Sequence, residues 1–180
     1  DPKTEVGHGE QFVGMQAGAM ALNGMRGVGT AILPMLRVDW AARSWFVMDV
    51  TLAGLGTRPT IATPLGDARV EQQFATIGGV YRFRPQRQWW PLVAVSAGVL
   101  HVSLDGRAMS PIVGHAVDQW SLLTELRFGM GLRFYKRYYS TLVLHVQAAA
   151  PYVAIHFVDE VVATSGRPNL ALAFTLGAWL

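Results

Sequence analysis

Between Trp120 and Phe134 the even positions are Trp120, Leu122, Thr124, Leu126, Phe128, Met130, Leu132 and Phe134, while the odd ones include Ser121, Glu125, Arg127, Gly129, Gly131 and Arg133. A period of two sustained over such a length predicts a β-strand with one apolar and one polar face, because a helix would scatter the charges around its circumference. The same alternation recurs along the chain. Segment 30–40 sets Ile32, Leu36, Val38 and Trp40 against Met35, Arg37 and Asp39. Segment 45–54 sets Phe46, Met48, Val50 and Leu52 against Val47, Asp49 and Thr51. In 70–84, Ile77, Tyr81 and Phe83 oppose Gln72, Thr76, Gly78 and Arg82. In 139–150, Leu142, Leu144 and Val146 oppose Thr141, His145 and Gln147. In 169–180, Leu170, Leu172, Phe174, Leu176, Ala178 and Leu180 oppose Ala171, Ala173, Thr175, Gly177 and Trp179. With the Gly/Ala-rich segment 10–22, which carries Gln16, and the doubly apolar 89–104, the pattern predicts eight strands.

The connections alternate as well. Residues 41–43, 85–88 and 136–137 form short turns, whereas 56–68, 105–119 and 158–168 are long and rich in Gly, Pro, Asp and Thr. Short turns at one end and long loops at the other are the plan of an up-and-down barrel that crosses a membrane. The connection from Asn23 to Gly27 departs from it by being short at the long-loop end. Aromatic residues collect beside the short turns: Trp40, Trp45 and Phe46; Tyr81, Phe83, Trp89 and Trp90; Phe134, Tyr138 and Tyr139; and Trp179 at the chain end. Rings at one rim are expected where an amphipathic side chain meets a membrane–water interface, so these residues are expected to form a girdle.

Composition decides which solvent meets the apolar faces. Of the 180 residues 51% are hydrophobic and 15% charged, with a mean hydropathy of +0.26, yet no apolar run is long enough for a spanning helix. One β domain over 1–180, preceded by a polar segment 1–9, fits these values. A soluble lipocalin-like barrel would reverse the faces and put Glu125 and Arg127 into solvent beside rings of exposed tryptophan. The absence of cysteine excludes disulfides and thiolate metal sites. The opening DPKTEVGHGEQ has no basic stretch followed by an apolar one, so an exported chain is expected to have lost its signal peptide. The net charge of +3 suits acidic lipid headgroups, and no basic cluster argues for nucleic acid.

The strand plan, the girdle and the closing LALAFTLGAWL resemble the small eight-stranded outer-membrane β-barrels of Gram-negative bacteria, the group of the OmpA transmembrane domain, OmpX and OmpW. The resemblance covers nearly the whole chain in pattern and implies an all-β, antiparallel, up-and-down transmembrane barrel with both termini in the periplasm. It also implies contact with outer-membrane lipid and lipopolysaccharide, and with the barrel assembly machinery during insertion. In that group the final strand ends in an aromatic residue, where this chain has Leu180 with Trp179 beside it.

If the apolar faces meet lipid, the polar faces meet one another inside the barrel. By parity the inward set is Arg37, Asp39, Asp49, Arg82, Glu125, Arg127 and Arg133, with Gln16, His145 and Gln147. An eight-stranded barrel is just wide enough to be filled by side chains, and charges buried there must pair. A plugging network is the expectation. Inward glycines such as Gly14, Gly78, Gly129, Gly131 and Gly177 leave space either for water or for the long arginines.

Other chemistry is sparse. His101 and Ser103 share one face of a strand, outward by parity, and weakly resemble the His-x-Ser of outer-membrane lipid A deacylases; Leu104 replaces the Asn that follows there, and no glutamate stands at the expected distance. A nucleophile needs such an oriented base. His115 with Asp118, and His156 with Asp159 and Glu160, lack a third ligand for a metal. No cofactor motif occurs. The first functional expectation is a non-enzymatic structural anchor or docking and adhesion platform that presents its outer loops, with another envelope protein as a candidate partner. The alternatives are a narrow channel or apolar-ligand conduit of the OmpW kind, and then a lipid A-modifying enzyme.

Overall fold

The computed structural model describes residues 12–26, 29–63, 66–108, 116–151, 153–157 and 160–180. Its elements in chain order are β1 (Phe12–Arg26), β2 (Thr30–Arg43), β3 (Phe46–Ala53), β4 (Thr60–Thr63), β5 (Gly66–Arg82), β6 (Trp89–Ala108), β7 (Ala116–Arg133), β8 (Tyr138–Ala150), β9 (Val153–Phe157) and β10 (Glu160–Trp179). Eight of them, β1, β2, β3, β5, β6, β7, β8 and β10, pair antiparallel in sequence order. Pairing of β1 with β10, from Gly14↔Trp179 to Gly24↔Asn169, closes the sheet on itself. Closure removes the exposed backbone edges that would otherwise need a partner. The short β4 and β9 pair only with β5 and β10.

Alternation sorts the side chains as the sequence pattern predicts. β2 reads strictly exposed–buried from Thr30 to Ala41, and β8 follows the same rule. The outer surface carries Ile32, Leu36, Val50, Leu52, Ile77, Leu126, Phe128, Leu142, Leu144, Leu172 and Phe174.

One expectation about the ends changes. Much of the expected long loops is strand: 56–68 holds β4 and the start of β5, 105–119 holds the ends of β6 and β7, and 158–168 falls largely in β10. Extended backbone must hydrogen-bond somewhere, and the ladder simply continues past the barrel body, with Asp67↔Arg107 and Arg69↔Asp105 in register. Gly106 is taken up inside the β5–β6 ladder, and Pro168 lies between the β9 pairing, which ends at Ser165, and the β8 pairing, which starts at Asn169.

The interior is layered. Toward the long-connection end lies an apolar core that includes Met20, Leu22, Leu33, Val70, Phe74, Leu100, Val102 and Leu123. A second apolar cluster of Ala41, Val47, Val80, Leu92, Ala94 and Val143, packed against Trp179, lies toward the short turns. Arg37, Asp49, Glu125 and Arg127 lie between them as a belt, while Arg82 stands two residues beyond Val80, toward the short turns. Apolar side chains therefore share the interior with the charged set expected from parity.

Candidate functional site

The belt is built from inward positions of neighbouring strands. Arg37 and Asp39 come from β2, Asp49 and Thr51 from β3, Ser96 from β6, Glu125 and Arg127 from β7, and His145 and Gln147 from β8; all are buried. Arg127 grips Asp49 with two parallel bonds, Nη1 to Oδ2 at 2.5 Å and Nη2 to Oδ1 at 2.8 Å. That fork geometry is the strongest form of carboxylate recognition. Arg37 Nε lies 3.3 Å from the same Asp49 Oδ2 and donates to Thr51 Oγ1 at 3.0 Å. Glu125 accepts from Ser96 Oγ at 2.7 Å and Gln147 Nε2 at 2.9 Å, bonds His145 Nδ1 at 2.7 Å, and has Arg127 Nε at 3.5 Å.

A second knot centres on Asp39, which accepts from Gln16 Nε2 at 2.6 Å, Tyr139 Oη at 3.0 Å and Arg82 Nη2 at 3.4 Å. Gln16 turns its oxygen to Thr175 at 2.6 Å and Thr141 at 3.3 Å. These contacts bridge the β1–β10 seam, so the polar belt also latches the closure.

Arg133 does not join the belt. Its guanidinium donates to the Pro85 carbonyl at 3.1 Å and lies over the Trp90 ring, at the turn between β5 and β6. On β7 it lies three inward positions beyond Arg127, past Gly129 and Gly131, where a backbone carbonyl of the β5–β6 turn is within reach. The belt thus holds Arg37, Arg82 and Arg127 against Asp39, Asp49 and Glu125, in balance.

The inward glycines make room for side chains. A methyl built on Gly78 would stand 2.7 Å from Arg127 Nη2 and Ser96 Cβ, and one on Gly177 would stand 2.8 Å from Gln16 Cγ and Tyr139 Cζ. One on Gly131 would overlap the Trp90 ring.

Eight residues of the expected girdle, Trp40, Trp45, Phe46, Tyr81, Phe83, Trp89, Phe134 and Tyr138, lie on the outside. Trp45, Tyr81 and Phe83 form a contiguous ring cluster, with centroids 5.6 and 4.8 Å apart. Trp90, Tyr139 and Trp179 do not belong to the girdle. Consecutive strand residues point to opposite faces, so Trp90 and Tyr139 must turn inward where Trp89 and Tyr138 turn outward, and Trp179 shares the inward parity of Thr175 and Gly177. They instead floor the interior: Tyr139 stacks on Trp179 at 5.1 Å, and Arg82 lies over Trp179 at 4.6 Å and Trp90 at 5.9 Å.

His101 and Ser103 face outward on β6 as parity predicts. His101 Nε2 lies 3.6 Å from Asp118 Oδ1, and its ring packs on Trp120 with centroids 4.4 Å apart. Ser103 is in register with Asp118, but no hydrogen bond joins it to His101, so the pair lacks the contact that activates a hydroxyl. Asp118 is an acidic neighbour that sequence spacing did not reveal, because cross-strand register alone brings it there. His115 and Asp159 lie outside the described residues, as do the side chains of His156 and Glu160.

No family model matches this sequence, and no curated protein matches it. Solved structures do. The N-terminal β-barrel domain of Pseudomonas aeruginosa OprF aligns over 97% of this chain and 100% of its own, with a TM-score of 0.61 at 10% identity. Neisserial surface protein A aligns over 96% and 98%, with a TM-score of 0.58 at 13% identity. Ail, the attachment invasion locus protein of Yersinia pestis, aligns over 96% and 99%, with a TM-score of 0.56 at 10% identity. Likeness at such low identity resides in strand number, order and closure. The chain has the fold of the small eight-stranded antiparallel barrels of bacterial outer membranes.

Proposed function

We propose that the protein is an integral outer-membrane barrel that acts as a structural anchor and docking platform, without enzymatic activity, and presents the strand extensions of its long-connection end to another envelope component. The observation that carries this reading is the filling of the interior by apolar clusters, a charge-balanced polar network and an aromatic floor, inside a wall whose described outer face is apolar along the eight barrel strands. Filling favours an anchor over a channel, since a water path would need the belt and both apolar layers to part. The eight outward rings beside the short turns suit a lipid–water interface, and β1 begins and β10 ends at that rim, which on this reading is periplasmic. Ail, named for attachment, shares the architecture.

Reconstitution into planar bilayers tests the proposal. The protein is expected to insert, to migrate differently in gels when unboiled, as a closed barrel should, and to give no steady conductance. Reproducible single-channel steps would turn the reading toward the channel, and recovery as a monodisperse protein without detergent would refute the membrane reading itself.

A further inference from the structure

Among the described residues, the three short turns carry a single charge sign. Segments 41–46, 83–89 and 133–138 contribute Arg43, Arg84, Arg87, Lys136 and Arg137 and contain no Asp or Glu. On this collar the turn between β5 and β6 forms a notch of about 380 Å³ lined by Phe83, Arg84, Arg87, Trp89 and Pro91. Its apolar half belongs to the outer wall: Phe83 and Trp89 are 46% and 49% exposed. Its polar half is two guanidinium groups carried by one tight turn.

That turn is held rigidly. Arg87 N donates to Arg84 O at 3.0 Å, Phe83 N to Pro91 O at 2.9 Å and Arg133 N to Gln88 O at 2.7 Å. Arg133, absent from the belt, pins the turn from β7 through its bond to the Pro85 carbonyl. Arg84 sits at φ 52°, a left-handed conformation that a side chain bearing Cβ rarely adopts. Glycine would be the undemanding residue there, and the chain places a cation instead.

We propose that this notch binds one anionic glycerophospholipid, with the phosphate between Arg84 and Arg87 and the acyl chains along Phe83, Trp89 and Pro91. Guanidinium groups match phosphate oxygens in bidentate fashion, and the three turns carry no Asp or Glu that competes for them. A soluble anion would use only the polar half, and a neutral lipid only the apolar half. The proposal rests on the membrane reading above.

The test uses the full chain folded into vesicles of phosphatidylcholine with a minor fraction of phosphatidylglycerol, one or the other lipid carrying brominated chains that quench tryptophan. Trp89→Phe isolates the contribution of Trp89. Brominated phosphatidylglycerol is expected to quench Trp89 more strongly than brominated phosphatidylcholine at equal mole fraction. Arg84→Gly and Arg87→Gln should each weaken that preference roughly fivefold, since an arginine near an anionic surface contributes about 1 kcal/mol. Arg84→Gly also relaxes the turn, so its loss of binding cannot be ascribed to unfolding. Arg43→Gln, on another turn, should leave the preference intact. Equal quenching by the two lipids, or an equal loss in Arg43→Gln, overturns the site while the membrane reading stands. Displacement by inorganic phosphate at constant ionic strength overturns the lipid as occupant. Failure to enter any vesicle removes the membrane reading and the site together.

Discussion

The bond between Arg127 and Asp49 joins residues 78 positions apart and lies between two apolar layers, so it gives the sharpest measure of how dry the interior is. Asp49→Asn keeps the shape and removes the charge. Arg127 then retains only the 3.5 Å contact with Glu125, and Arg37 loses its 3.3 Å partner. Stranding a buried charge in this way should cost about 3–5 kcal/mol. Arg127→Gln strands Asp49 less severely, because Arg37 remains beside it, and about 3 kcal/mol is expected. The double variant restores neutrality with two amides that can bond each other, so it should cost little more than either single change. The resulting coupling is about 3 kcal/mol, well beyond the few tenths that separate independent sites. Equilibrium urea unfolding of the barrel in lipid vesicles, followed by tryptophan fluorescence and by gel mobility, measures all four corners of the cycle. Additive losses, or single losses of about 1 kcal/mol or less as for solvated pairs, would refute the dry belt.

Leu126→Arg, on the outer face, should cost roughly 2–4 kcal/mol in a bilayer, whereas Thr141→Arg, facing inward, is limited by fit against Thr175 and Gln16 rather than by lipid. A Leu126→Arg variant as stable in vesicles as the parent would show that lipid does not meet the Leu126 face. Gly131→Ala drives a methyl into the Trp90 ring and should destabilise the barrel by about 1–3 kcal/mol, while the combined Gly131→Ala, Trp90→Leu variant should recover part of it. Unfolding midpoints check both, and an unaffected Gly131→Ala would mean that the aromatic floor is loosely packed.

Parity is enough to place nearly every wall residue, because a strand side chain has only two directions available and the pattern alternates through β2 as far as Ala41, through β3, β7 and β8, and through 168–176 of β10. It assigned the belt residues to the inside for the same reason. What parity lacks is height and partner. Asp49 meets Arg127 across the lumen because strand registers add up around the barrel, and no local spacing encodes that sum. The apolar core around Leu100 and Val102 was hidden because β6 is apolar on both faces, so composition there does not distinguish lumen from lipid. Trp90 and Tyr139 were drawn into the girdle by their position beside a turn, although the alternation that placed their neighbours outside already required them inside. Arg133 shows the reverse error: its parity is correct, but it lies below the belt and meets a turn carbonyl.

Trp179 gives the closure of the barrel an optical and kinetic signature. Its backbone N–H donates to Arg137 O while its ring rests on Tyr139, under Arg82 and against Gly14 of β1, the most distant partner in the sequence. Bringing β1 and β10 together meets the largest loop-closure entropy in the molecule, so that junction is expected to form late in folding. Until it does, the indole has neither its cation nor the full set of walls around it. The zipping of the last seam and the sealing of the floor are therefore one event, and the emission of a single indole can time it.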